Sequence, residues 1–268
     1  MQLSTLSTLI EYGGFKVIIK EINKLFTLIC KFPNYGYAEL GNESGLGKNK
    51  IENYRYYLRD FGLLTAGNYK PTELALLLVI YQKNFTENFT YWLLLYQWSK
   101  IEGNPFLHYY LNYSENEGLK SEMEKGFVSW ANQHGFKTDY ETTVGGLISR
   151  TVNALTDGEA FQVLNLFTLD DDRLYRSKPY NVHSLLIAYI LYDTRRDRVS
   201  ISINELMQEP GSIGKFFGYD SRSLDQQLGE LQNLGLIKRI QTADLNMINY
   251  QYTESPLSLV ERYYNENL

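Results

Sequence analysis

The segment Gly45-Leu46-Gly47-Lys48-Asn49 leads into the most chemically distinctive stretch of the chain. Between residues 48 and 59 there are four basic residues and one acidic residue, a local balance of +3 in a chain of formal charge −5. The basic residues are Lys48, Lys50, Arg55 and Arg59, and the acidic one is Glu52. Positive charge concentrated in one stretch of an acidic protein is typical of a surface that contacts phosphate. The chemistry indicated is binding of nucleic acid, not catalysis.

A helix must position these cations. Ile51, Tyr54, Leu58 and Phe61 recur at the spacing that lines one face of an α-helix, which predicts a helix from Lys48 to Phe61. The glycines before it permit a tight turn, so the stretch is interpreted as the second half of a helix-turn-helix. The predicted DNA contacts on its exposed side are Lys48, Asn49, Lys50, Asn53, Arg55, Tyr56 and Arg59.

Other interpretations of this helix remain open. Its cations could form an ordinary solvated face, with Arg55 paired to Glu52 and Arg59 to Asp60. Asn49 could cap the helix or contact the edge of adenine. A nucleotide-binding loop is excluded, because Asn42 stands at its first glycine position and Asn49 replaces the hydroxyl that holds magnesium.

Other residues could take part in catalysis or bind a metal, but their spacing does not predict a catalytic or metal site. The three histidines, His108, His134 and His183, are isolated in the sequence, and Asp170-Asp171-Asp172 is interpreted as a solvated loop. The single cysteine, Cys30, lies within an apolar helical pattern and is expected to be buried and inert. We therefore predict a protein that is not an enzyme and has no cofactor and no metal.

Composition indicates a folded protein of the cytoplasm. The 268 residues are 44% hydrophobic and 21% charged, as in ordered globular chains. One cysteine cannot form an internal disulfide, and no basic residue precedes Lys16, so a reducing compartment and no signal peptide are expected. The longest apolar run, from Leu74 to Tyr81, is too short to span a bilayer, which predicts no membrane segment.

The pattern along the chain predicts a mainly α protein with winged-helix domains at both ends joined by a helical middle region. Residues 1–83 are predicted to form an N-terminal winged helix-turn-helix, with a hairpin around Ala66-Gly67 and a helix capped by Thr72. Residues 84–198 are predicted to be a helical connecting domain, in which 169–174 and 177–180 form a loop. Residues 199–268 are predicted to be a second winged-helix-like domain.

The presumed recognition helix of this last domain differs from the first in charge. Residues 221–233 carry Arg222, Asp225 and Glu230, a balance of −1. Attraction to phosphate is therefore not its main property. A role in contacting a protein partner or a second copy of the chain is predicted there.

These residues also carry a resemblance. The chain resembles the bacterial and archaeal domain-of-unknown-function family four thousand and seven, whose motifs correspond here to Gly45–Asn49 followed by Arg55-Tyr56-Tyr57, then to Thr90–Leu94 and Ser212–Phe217. The proline of the family's last motif is absent. The resemblance implies no enzyme chemistry, and it implies an association with DNA sulfur modification (phosphorothioation) and phage-defence loci.

Two functions follow as hypotheses. The first is a DNA-binding or accessory component of a defence or DNA-modification system, which contacts double-stranded DNA through the first winged helix. The alternative is a scaffold subunit of such a system, which contacts protein partners without touching DNA. Formation of a homo-oligomer is left open in both.

Overall fold

The computed structural model describes residues 14–81, 85–136, 141–179, 181–242 and 245–267, without the side chains of 141–143. About 57% of the described residues are helical, and two small antiparallel sheets of three strands each complete the described elements. The chain divides into two compact units. One comprises Met1–Tyr110 and Ser114–Ser177, and the other comprises Leu111–Tyr113 and Lys178–Leu268.

The first unit is built from helices with one small sheet. Its elements are α1 (Ile19–Lys31), α2 (Tyr37–Ser44), α3 (Lys48–Asp60), α4 (Glu73–Tyr81), α5 (Asn88–Trp98), α6 (Pro105–Tyr113, whose last residues group with the second unit), β1 (Glu117–Leu119), α7 (Lys120–Gln133), α8 (Glu141–Thr156), β2 (Phe167–Asp170) and β3 (Arg173–Arg176). A short 3₁₀ turn at Gln162–Leu164 follows α8.

Helix α3 packs between apolar neighbours. The predicted core positions Ile51, Tyr54, Leu58 and Phe61 are all fully buried, as the helical spacing predicts. Tyr57 is buried as well. Helix α3 contacts α1 and α2 on one side, and on the other side the rings of Tyr57 and Phe61 contact Trp98 of α5. The buried face of α3 is therefore wider than one apolar stripe.

The described segment 61–72, which follows α3, turns back on itself without forming a pair of strands. An antiparallel bridge joins Leu64 and Pro71, and backbone hydrogen bonds flank it, from the Thr65 N–H to the Lys70 carbonyl at 2.8 Å and from the Thr72 N–H to the Leu63 carbonyl at 3.0 Å. Pro71 has no N–H to extend a ladder, and Tyr69 has a left-handed φ of 51° that interrupts extended backbone. The predicted hairpin is thus reduced to a single antiparallel bridge around a turn. The predicted cap is present, since the Thr72 hydroxyl accepts from the Ala75 N–H.

The sheet of the first unit was missed by the sequence pattern. Strand β3 lies between β1 and β2, and both pairs are antiparallel. The segment interpreted as a loop, including Asp170–Asp172, is a hairpin whose turn contains Asp171 with φ 49°. Strands of three or four residues are too short to show an alternating pattern.

The second unit surrounds a helix that is buried on every side. Its elements are α9 (Ser184–Asp193), β4 (Ser200–Ser202), α10 (Ile203–Gln208), α11 (Ile213–Phe217), α12 (Ser221–Asn233), β5 (Ile237–Gln241), β6 (Asn246–Tyr250) and α13 (Pro256–Glu266). Every residue from Leu185 to Tyr192 of α9 is buried, against α11, α12 and α13. Strand β6 is the centre of a sheet between β4 and β5.

The predicted fold class is wrong. The chain is not a mainly α protein with winged helices at both ends and a helical middle, since the middle region contributes a sheet and the described N-terminal region has a single bridge where paired strands were expected. In the last region, predicted as winged-helix-like, β4 adds a third strand to the pair β5–β6 and α13 follows the sheet. The division at residues 83 and 198 stays a prediction, because a compact unit can hold more than one domain.

Candidate functional site

Two glycines set the start of α3. Gly45 ends α2 in the left-handed conformation, with φ 74°, a geometry that glycine adopts without a steric cost. Gly47 then caps α3 without a side-chain hydrogen bond. The first turn of α3 contains Lys48 and Lys50 and no acidic residue. A cavity of about 680 Å³ lies beside this turn, lined by Tyr37, Lys48 and the backbone of the glycine-rich segment.

Lys48 is exposed at the amino end of α3. Its Nζ lies 5.9 Å from the centroid of the Tyr37 ring, at the first residue of α2. Within the described part of the chain Lys48 has no carboxylate partner. Its charge is therefore available to an external anion.

Arg55 is half-buried and lies over two tyrosine rings. Its Cζ is 4.5 Å from the centroid of Tyr37 and 5.8 Å from that of Tyr69. The pair with Glu52 that the sequence left open does not form, and no other carboxylate among the described residues pairs with Arg55. Nε is buried without a hydrogen-bond acceptor among those residues. The guanidinium is thus held by aromatic contacts rather than by an ion pair.

Contacts between tyrosine rings and cations extend from Arg55 to Arg59. Tyr56 and Tyr69 have centroids 6.1 Å apart, and the Cζ of Arg59 lies 5.3 Å from the Tyr56 centroid. Arg59 also donates from Nε to Asp60 at 2.7 Å, the pair that the sequence left open. We call the surface formed by Tyr37, Lys48, Arg55, Tyr56, Arg59 and Tyr69 the cation–tyrosine face.

Lys50 points away from this face, toward α1. Its Nζ lies 2.6 Å from Oε2 of Glu21, which also accepts a hydrogen bond of 2.5 Å from the Tyr54 hydroxyl. Burial opposes ionisation of Glu21, but the hydrogen bonds from Lys50 and Tyr54 outweigh it, so the pKa of this carboxyl group is lowered. Lys50 thereby contributes to packing of α1 on α3.

The two asparagines of α3 have different surroundings. Asn49 is exposed, and its carbonyl accepts a bond of 2.6 Å from Nδ2 of Asn53. Asn53, which was predicted to lie on the exposed side, is buried, and its Oδ1 has no partner among the described residues. Asn49 remains accessible to a ligand, whereas Asn53 supports the first turn from within.

The other chemically interesting residues have structural surroundings. The Nδ1 atoms of His108 and His134 lie 3.1 Å and 2.8 Å from backbone carbonyls, and Nδ1 of His183 accepts the Leu185 N–H. Burial raises the pKa of Cys30 to about 12, which disfavours the thiolate. Among the described residues, no group of three or more His, Cys, Asp and Glu side chains is arranged to hold a metal ion.

The acidic residues of α12 have different partners, a cation for one and a hydroxyl for the other. Asp225 pairs with Arg239 of β5, and Oε2 of Glu230 accepts a hydrogen bond of 2.5 Å from Ser184. Arg222 is exposed near the start of α12. The protein-contact or self-association role of this helix stays a prediction.

The sequence pointed to α3 but missed the tyrosines that complete the face. Tyr37 stands at the start of α2 and Tyr69 in the turn after α3, so neither belongs to the helical pattern that selected the other residues. The abundance of tyrosine, 23 residues, was the only available signal. It did not indicate which rings approach Arg55.

Comparison with known proteins places the chain in a family. A family model described as "Protein of unknown function (DUF4007)" matches residues 22–264. The chain belongs to this DUF4007 family. The resemblance noted in the sequence motifs is confirmed, while the association of the family with sulfur-modification loci stays an expectation. No curated protein sequence matches the chain.

Two solved structures share the fold of this DUF4007 protein. A magnesium ion-bound crystal structure of SspB aligns with a TM-score of 0.78 at 15% identity, covering 95% of this chain and 87% of that one. A second SspB crystal structure aligns with a TM-score of 0.75 at 14% identity and the same coverage. At these identities the likeness shows the fold alone.

Among the described residues, none of the helices combines the length and the apolar character that crossing a membrane needs.

Proposed function

We propose that this DUF4007 protein is a DNA-binding component of a DNA-modification or defence system, and that it contacts duplex DNA through the cation–tyrosine face. The observation that carries the proposal is that Lys48 and Arg55 lie on one face of α3 without carboxylate partners among the described residues. Cations held against rings and left unpaired are suited to phosphate.

The surroundings of the face support this reading. Asn49 is exposed beside Lys48, at the helix end where contacts with a major groove concentrate. The cavity next to Lys48 leaves space for part of a sugar–phosphate backbone. Lys50, Asn53 and Arg59 are left out of the primary contact, because two of them form ion pairs and one is buried.

The test compares two charge-matched double variants for binding to a short duplex at low salt. Lys48→Ala with Arg55→Ala is expected to weaken binding by about ten-fold or more, since each lost phosphate contact lowers affinity. Lys125→Ala with Arg222→Ala removes one lysine and one arginine that are exposed on α7 and α12, and is expected to bind as the native chain does. Equal binding by the two variants, or no binding by the folded native chain, would overturn the proposal.

A second candidate function is a scaffold subunit that contacts protein, and one observation favours it. On α4, Leu76 is 54% exposed and Ile80 is 69% exposed, one helical turn apart. Apart from Glu73, α4 is apolar on all sides, a composition typical of a helix that is covered. If α4 mediates self-association, Leu76→Ser with Ile80→Ser lowers the mass measured by light scattering, and an unchanged mass excludes that role.

A further inference from the structure

Arg55 has an arrangement that phosphate attraction alone does not require. Its guanidinium lies over the ring of Tyr37, from α2, and over the ring of Tyr69, from the turn after α3. Both rings come from outside α3, so the position of this side chain depends on three separate segments. A cation that only raised the local potential would need neither ring.

The nitrogens of Arg55 differ in their surroundings. Nε is buried and donates to no acceptor among the described residues. The two terminal nitrogens, Nη1 and Nη2, also donate to no acceptor among those residues, but they are not buried. The side chain is therefore oriented by the rings, and its terminal edge remains available for a pair of acceptors.

We propose that Arg55 is a pre-positioned bidentate donor to DNA, and that Tyr37 and Tyr69 are positioning residues that fix its guanidinium plane. This inference rests on the proposed function. The ligand chemistry is two adjacent acceptor atoms, a geometry that a planar guanidinium matches and a lysine ammonium does not. Either the oxygens of one phosphate or the O6 and N7 atoms of a guanine supply such a pair.

Lys48 provides the internal contrast. It lies 5.9 Å from the Tyr37 centroid, farther than Arg55, and is exposed, so it acts as a point charge with many accessible orientations. Lys48 therefore contributes charge without a fixed orientation. Arg55 contributes charge and a fixed guanidinium plane, so its replacement by lysine loses the paired hydrogen bonds although the charge is conserved.

The experiment measures binding of the full chain to guanine-containing and guanine-free duplexes of equal length at several salt concentrations. Arg55→Lys is expected to lose about ten-fold in affinity, close to the loss of Arg55→Ala, because a lysine keeps the charge but not the paired hydrogen bonds. Arg222→Lys makes the same exchange at an exposed arginine of α12, outside the cation–tyrosine face; it is the matched control and is expected to bind as the native chain does. Thermal melting of each variant verifies that it is folded.

The role of the rings is tested at Tyr37, where the backbone is helical. Tyr37→Leu is expected to lose about three-fold or more in affinity, because the guanidinium is no longer held in place, while Tyr37→Phe keeps the ring and binds as the native chain does. A purely structural role of Tyr37 predicts instead a lower melting temperature with unchanged affinity of the folded protein.

The outcomes distinguish phosphate from guanine as the source of the acceptor pair. They also distinguish the bidentate role of Arg55 from the proposed DNA binding. Equal losses on both duplexes, with a shallower salt dependence for Arg55→Ala, identify phosphate, and a loss confined to the guanine-containing duplex identifies the base. Native-like binding by Arg55→Lys, or by Tyr37→Leu, overturns the bidentate role while leaving DNA binding intact. Absence of binding by the folded native chain overturns the proposed function and this inference together.

Discussion

Lys48 and Lys50 lie two positions apart on α3, yet their surroundings give them different roles. Lys50 is bound to Glu21 at 2.6 Å, whereas Lys48 contacts only the Tyr37 ring among the described residues. We expect Lys50→Ala to lower the free energy of unfolding by about 1 kcal/mol, since it removes a partly buried charged hydrogen bond. Lys48→Ala is expected to leave stability nearly unchanged. Urea unfolding measures both effects, and equal losses would contradict the distinction.

The carboxyl group of Glu21 makes this contact sensitive to pH. Because its pKa is lowered in the folded chain, its stabilising effect is fully present above about pH 4.5 and is lost as the pH falls through the lowered folded value. Glu21→Gln is therefore expected to be less stable than the native chain by about 1 kcal/mol at pH 6 and by less at pH 3. The measurement is urea unfolding of both proteins at the two pH values. A difference that stays constant between them would show that ionisation of Glu21 has no part in the contact.

Sequence reasoning at this scale recovered the charges but not their partners. Lys48 and Arg55 were identified from local charge, which the sequence displays directly. The contacts of Arg55 with Tyr37 and Tyr69 depend on how two flanking segments fold, and no spacing rule covers such pairs. Asn53 was placed on the wrong side of α3 because a second buried surface, which includes Tyr57 against Trp98, widens the covered face.

At the scale of elements, long helices were predictable and short strands were not. Helices α3 and α12 begin at the predicted residues, because turn glycines, caps and apolar spacing are local signals. By contrast, Glu117 pairs with Tyr175 and Ser200 with Asn249, so each of these strands exists only through a partner about fifty residues away. The local sequence of a three-residue strand does not predict which distant segment it pairs with.

Two helical glycines of the second unit allow a matched test of packing between elements. A Cβ at Gly214 of α11 would lie 2.5 Å from the Leu206 carbonyl oxygen and 2.7 Å from Cα of Met207, both backbone atoms of α10. At Gly229, in the middle of α12, a Cβ would meet no atom within 4 Å. The close approach of α10 and α11 thus requires a glycine at 214, and no such requirement exists at 229.

We expect the two alanine variants to change stability in opposite directions. Gly214→Ala should lower the free energy of unfolding by about 1–3 kcal/mol, because backbone must move to admit the methyl group. Gly229→Ala should raise it by about 0.5–1 kcal/mol, because alanine loses less conformational freedom in a helix. Thermal unfolding of both variants checks the signs, and a stable Gly214→Ala protein would show that α10 and α11 separate easily.

At the scale of the whole molecule, an acidic chain presents a small cationic surface. The formal charge is −5, and within α3 ion pairs occupy Lys50 and Arg59. Nonspecific attraction to DNA is weak for such a chain, since like charges elsewhere repel the phosphates. Binding through the cation–tyrosine face then depends on the two cations without carboxylate partners there, Lys48 and Arg55, together with the shape of the surface around them.

This arrangement sets the salt dependence of binding. With about two phosphates neutralised, the slope of log affinity against log salt concentration is expected near −2, at roughly −0.9 per contact. Counting all four cations of α3 as contacts, as the sequence alone would suggest, gives a slope between about −3 and −4. Titration of a short duplex at salt concentrations between about 50 and 200 mM distinguishes the two values. A slope near −4 would mean that Lys50 leaves Glu21 and that Arg59 leaves Asp60 when DNA binds, and it would require the helix surface to rearrange in the complex.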